Sequence, residues 1–312
     1  MGKSEHSVSW FHRLGSFVAV LTFLLYMTGV LAADAEPGAS TPALAWLRIG
    51  SLPAANPPGK YAHAYTILAA AVGALTLIFV AWLWKSNSRR YLKTLGAITV
   101  GVFLALILLL LSPAQNLFST AASIGYTCGI QIFFCLTVCL ALFTRTDWRW
   151  DEFKMPDLAS PSIRQILVFT TVAVFVQPLL GERFREIRMG IAPHLVLGIA
   201  VTVCALWVME MALTKFPHLR TFKISAVFLA GVVGLQLFLG IIDYSMVLNA
   251  RAVPDLQPGT TVMNVTHAAI GALVLATSLF VTCQGFKYFA PAGDGTSSAI
   301  PGSPQDIEML GR

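Results

Sequence analysis

The sequence predicts an all-α membrane protein of eight transmembrane helices, arranged as two four-helix-bundle repeats. Composition is the first observation: of 312 residues 56% are hydrophobic and 12% charged, with mean hydropathy +0.72. A soluble globular domain carries roughly 25% charged residues. The second is a series of stretches free of Asp, Glu, Lys and Arg, each within the range of about 17–25 residues that a spanning helix needs, or longer. The third is a recurrence of histidines at matching places in those stretches.

Taken in chain order, the first stretch runs from Leu14 to Ala33 and ends at Ala33-Asp34-Ala35. Its basic start and small-residue end also suit a signal peptide. An apolar run of about 20 residues exceeds the usual 7–15 of a signal h-region, so it is read as a retained helix. The connection from Asp34 to Lys60 carries Pro37, Pro42, Pro53, Pro57 and Pro58 and reads as a long outer loop. The second stretch spans Tyr61 to Trp84. The third, Thr94 to Phe143, is too long for one crossing: at about 1.5 Å per residue it would span more than twice a ~30 Å hydrocarbon core. Ser112, Pro113, Gln115 and Asn116 mark the turn that divides it into two helices. Gln165 to Gly181, Met189 to Met209, Ile224 to Ile242 and Leu256 to Phe286 complete the eight. The two halves are residues 8–150 and 160–290, and the Gly-, Ser- and Pro-rich tail 291–312 reads as disordered.

Lys and Arg in the connections set orientation. With the N-terminus inside, 15 basic residues fall on the inner side and 6 on the outer. Both termini are then cytoplasmic and the chain is multi-pass in the inner (plasma) membrane. The net charge of +6 reflects loops facing anionic lipid rather than a nucleic-acid surface.

All five cysteines lie in the apolar stretches, and neither Cys-x-x-Cys nor Cys-x-x-Cys-His occurs, so no c-type haem is covalently attached. Cys135 and Cys139 share a helix face and read as small residues packing helices.

The histidines are more informative. Gln177-x-x-Leu180-Gly181 closes the fifth stretch and Gln236-x-x-Leu239-Gly240 the seventh, and each is followed by a helix opening with His194 or His267. His63 opens the second helix in the same way. This implies parallel repeats about an axis near the membrane normal. An imidazole at bilayer depth is costly without a partner, so the three histidines are candidate metal or haem ligands. A low-spin haem takes two axial imidazoles from facing helices of a bundle, and His194 with His267 fit that need. Arg183, Arg185 and Arg188 precede His194, and Arg251 precedes His267. They are candidates for anionic haem propionates, the alternative being a solvated loop. His12 reads as an inner-surface anchor, His6 and His218 as surface residues, and Glu210 as a snorkelling carboxylate.

These features resemble the haem A synthases, which oxidise a methyl group of haem O to the formyl group of haem A for cytochrome oxidase. The resemblance covers both halves: eight helices in two repeats, histidines opening even helices at the outer face, and Gln177-x-x-Leu180-Gly181-x-x-x-Arg185. It implies that His194 and His267 hold haem b and that the first half surrounds a substrate haem O, with His63 as its ligand and catalytic residue. It also implies partners such as a haem O synthase or cytochrome oxidase subunits, and a homo-oligomer. The match departs from the family at three points. The fourth helix, Ser123 to Gln131, opens without a histidine; Lys60 stands where the family has a glutamate three residues before the first histidine; and the cysteine pair of the first outer loop is absent. A non-catalytic haem-binding assembly or electron-transfer subunit is the second function class. The two divide on whether Tyr126 or Cys128 faces the iron beside His63. A transporter is a weaker third, because broken helices and midplane charges are not visible.

Overall fold

The computed structural model describes residues 2–35, 59–86, 89–111, 119–148, 150, 154–157, 160–186, 190–252 and 259–291. Its helices are α1 (Gly2–Ala35), α2 (Lys60–Lys85), α3 (Arg90–Leu111), α4 (Ser119–Phe143), α5 (Ile163–Glu186), α6 (Ala192–Thr214), α7 (Arg220–Ala252) and α8 (Thr260–Tyr288). All eight are long and apolar enough to cross a membrane. The protein is an all-α membrane protein.

The helices pack in two rings of four. In the first, α1 packs on α2 and α4, and α3 on the same two; in the second, α8 packs on α5 and α7, and α6 on the same two. The seam between the rings is α1 and α4 against α8, with α4 also touching α5. Asp34 accepts a 2.6 Å hydrogen bond from Asn264 across that seam. Near the other end, the His12 ring Nδ1–H donates to the Ala141 carbonyl at 2.8 Å, so His12 ties α1 to α4.

Lipid offers little hydrophobic incentive for helices to associate, so close packing must do that work. Small residues let the helices approach. A Cβ added to Gly73 would lie 2.2 Å from the Phe103 ring, and one added to Gly285 would lie 2.4 Å from Leu167 Cδ1. Ile67, Leu108, Val196, Ile241 and Val262 point outward, more than half exposed, as lipid-facing residues do. Buried threonines satisfy their hydroxyls on the preceding turn, Thr76 to Val72 O at 2.7 Å and Thr170 to Ile166 O at 2.7 Å.

The connection after α4 is anchored. Strand β1 (Met155–Asp157) pairs in parallel with β2 (Phe289–Pro291), which follows α8 directly. Ser162 and Gln165 form a capping box at the start of α5: the Gln165 N–H donates to Ser162 Oγ and the Ser162 N–H to Gln165 Oε1. Buried Asp157 accepts from the Arg164 N–H at 3.2 Å. Lys287 is buried beside the Trp148 ring, with Nζ 3.5 Å from the Asp147 carbonyl. The Arg145 guanidinium, hydrogen-bonded to the Asp147 carboxylate, holds that carboxyl below its usual value.

Several boundaries differ from those expected. α5 continues five residues past Gly181 to Glu186, and α7 continues twelve past Gly240 to Ala252. Gln-x-x-Leu-Gly therefore lies inside both helices instead of closing them. Arg183 and Arg185 sit on the last turns of α5, and Arg251 on the end of α7, not in loops. α8 begins at Thr260, so His267 stands two turns into it, whereas His194 and His63 occupy first turns. The extra length of α7 carries the chain further out before α8 returns, which brings His267 level with His194. Of the expected tail, Pro291 belongs to β2, while 292–312 and most of the Pro-rich loop (36–58) lie outside the described residues.

Candidate functional site

His194 and His267 face each other across the second bundle, with ring centroids 6.4 Å apart and planes inclined by 57°. Their helices, α6 and α8, are diagonal in the ring, and α5 and α7 flank them. Gln177 of α5 clamps His194 reciprocally. The His194 ring Nδ1–H donates to the Gln177 carbonyl at 3.1 Å, and the Gln177 amide donates to the His194 carbonyl at 3.1 Å. With Nδ1 committed as donor, His194 Nε2 carries the lone pair, the tautomer that a metal-ligating imidazole needs.

The second repeat places Gln236 against His267. The Gln236 amide nitrogen lies 3.1 Å from His267 Nε2 and donates to it. His267 Nδ1, Gln177 Oε1 and Gln236 Oε1 are buried polar atoms without a partner within this one site. Glycines line it in matched pairs. A Cβ on Gly181 would approach His194 Cε1 to 3.6 Å, and one on Gly240 would approach His267 Cε1 to 3.1 Å. On the histidine helices, Gly198 faces the Gln177 amide and Gly271 the Gln236 amide, at 3.3 Å and 3.2 Å by the same measure. The site thus repeats Gln-x-x-x-Gly against His-x-x-x-Gly twice. The first motif is expected from sequence; the second is carried there as His194-x-x-x-Gly198 and His267-x-x-x-Gly271.

Two imidazoles on one ion set a characteristic spacing. An imidazole nitrogen lies about 2 Å from a first-row metal and about 1 Å from its own ring centre, so two such rings have centres roughly 6 Å apart. The observed 6.4 Å agrees. Among the described residues no group of three or more His, Cys, Asp or Glu could hold a metal ion. A bare zinc site takes three or four protein ligands. A macrocycle brings its own nitrogens and would ask the protein for two imidazoles; His194 offers a free Nε2, and His267 would do so on releasing the Gln236 amide.

The side chains of Arg183, Arg185 and Arg251, and Arg188 as a whole, lie outside the described residues.

The first bundle is built differently. His63 is exposed on the first turn of α2. Tyr65, two positions on and so about 200° around the helix, is buried and hydrogen-bonded through its hydroxyl to the Tyr126 hydroxyl of α4. Leu25, Val72, Leu106, Ile130 and Phe133 pack around that pair. Gly29 of α1, at a place corresponding to Gly181 and Gly240, faces the Tyr65 ring instead of a histidine. Tyr126 is therefore turned toward Tyr65, on another face of α2 from His63. Lys60 is exposed and its ammonium lies over the Tyr61 ring at 4.8 Å. Of the cysteines, Cys139 of α4 and Cys283 of α8 pack into one cluster with Leu142, Phe143 and Trp148, a meeting across the seam that spacing could not foresee.

No family model and no curated protein matches this chain.

Proposed function

We propose that the chain is a membrane haem protein of the haem A synthase type: it holds one haem b between His194 and His267 and oxidises haem O to haem A for cytochrome oxidase. The observation that carries the cofactor assignment is the imidazole pair at 6.4 Å, each ring braced by a glutamine in repeat-related positions. When bound, the haem supplies the redox and oxygen chemistry. The chain's own contributions are orientation and exclusion of water. Gln177 fixes the tautomer and plane of His194. Gly181 and Gly240 keep the space beside each ring free of side chains. The apolar walls of α5 to α8 keep the site dry. The propionates would meet Arg183, Arg185, Arg188 and Arg251, all near the outer ends of α5 to α8 by sequence. In the first half His63 is the candidate ligand of haem O.

A second reading, a non-catalytic assembly or electron-transfer subunit, is favoured by one specific observation. The Tyr65–Tyr126 pair fills the interior of the first bundle where a substrate haem would need room, and it leaves His63 outside. Production in cells supplied with haem O, oxygen and an electron donor separates the two. Low-spin haem b together with accumulating haem A supports the synthase. Haem b without haem A selects the second reading. Protein folded as helices with no haem at all overturns both.

A further inference from the structure

We infer that the groove between α2 and α3 is a binding site for one anionic phospholipid of the surrounding bilayer. The groove is open to the outside of the bundle, has a volume of about 360 Å³, and is lined by Leu77, Val80, Ala81, Trp84, Ala97 and Val100. Its floor is close-packed, since a Cβ on Gly96 would sit 3.2 Å from the Val80 methyls. The small side chains of Ala81 and Ala97 leave the trough above that floor. The space suits one acyl chain.

What distinguishes the groove from ordinary lipid-facing surface is the end it leads to. On α3, Val100, Ala97, Lys93 and Arg90 follow one another at helical spacings of three and four, forming a single stripe. On α2, Leu77, Ala81 and Lys85 form the matching stripe. Both apolar walls therefore run into cations at the same end, with Trp84 at the boundary as aromatic residues are at a membrane interface. Lys85 and Arg90 are exposed and Lys93 half-buried, and none of the three is in an ion pair among the described residues. Leu77 to Val100 contains no Asp or Glu. The neighbouring Arg89 is already engaged, donating to the Trp148 carbonyl at 2.8 Å and to the Tyr91 hydroxyl at 2.9 Å. Three cations in no ion pair among the described residues, at the mouth of an apolar trough, fit a phosphate headgroup and its chain together.

The test is lipid retention by full-length protein in mild detergent, read by native mass spectrometry with added phosphatidylglycerol or phosphatidylcholine. One phosphatidylglycerol per chain should be retained in preference to phosphatidylcholine. The variant Lys85→Gln/Arg90→Gln/Lys93→Gln should weaken that binding roughly a hundredfold, from the contribution of each cation near the surface. Ala81→Phe should weaken it with every cation in place, and Arg145→Gln, a cation outside the groove, should leave it unchanged. A phosphatidylglycerol with a photoreactive acyl chain should crosslink to α2 or α3 in the wild type, which keeps the test decisive if Ala81→Phe does not fold. Equal binding of the two lipids overturns the proposal. So does crosslinking spread over all helices, or a second copy of the chain occupying the groove and released by Ala97→Phe.

Discussion

A Cβ at Gly240 would approach His267 to 3.1 Å, and one at Gly181 would approach His194 to 3.6 Å. The first is tighter than ordinary van der Waals contact and the second is not, so two chemically identical substitutions separate. Gly240→Ala should displace the imidazole and weaken haem retention by up to about tenfold, within the cost of adding a methyl to a packed site. Gly181→Ala should change it little. Haem titration of the purified variants, followed by the low-spin spectrum, measures both; equal effects would mean that the rings do not face these glycines in the loaded protein. Replacing His194 or His267 with Ala should abolish or convert the low-spin spectrum, while His63→Ala leaves it intact. Loss of that spectrum in His63→Ala would put the haem in the first half. At this scale the imidazole pair was legible, because both histidines follow the same pentapeptide. The tyrosine pair was not: a phenol on an apolar face looks the same whether it packs or bonds, and only the partner helix decides.

At the scale of elements, the apolar stretches located all eight helices, since nothing shorter can satisfy its backbone across a bilayer. Their ends were less legible. Asp243, Asn249 and Arg251 interrupt the apolar run of α7, yet its backbone bonds continue to Ala252. Charge marks where hydrocarbon ends, not where a helix does. The ladder between β1 and β2 was equally hidden, because three residues carry too little pattern to announce a strand. The seam between halves offers a direct test at this scale. Cys139 and Cys283, both free thiols, pack into one cluster between α4 and α8, so a copper–phenanthroline oxidant acting on membranes should take two electrons and two protons from them and leave a disulfide. Proteolysis within the connection 145–162 should then release two fragments only after reduction. Fragments that separate without reductant would show that α4 does not meet α8 at these residues.

The whole molecule has its two rings in the same sense, and this has a consequence for orientation. Four crossings return the chain to the side from which it started, so the connection after α4 and the end of α8 share a side, as their pairing through β1 and β2 requires. The opposite ends hold the starts of α2, α6 and α8, and with them His63, His194 and His267. The helices alone do not say which side is cytoplasmic. From the distribution of basic residues, 15 to 6, we propose that the side holding the connection after α4 is the inner one, by the tendency of Lys and Arg to remain inside. The inner face is also where the cations of the α2–α3 groove would meet anionic lipid. A cysteine placed at Ser51, in a chain whose native cysteines are replaced, should therefore react with an impermeant maleimide added from outside. One placed at Ser88 should react only after the membrane is opened. The reverse pattern would invert the molecule, turn the histidine ends toward the cytoplasm, and require haem to be loaded from that side instead.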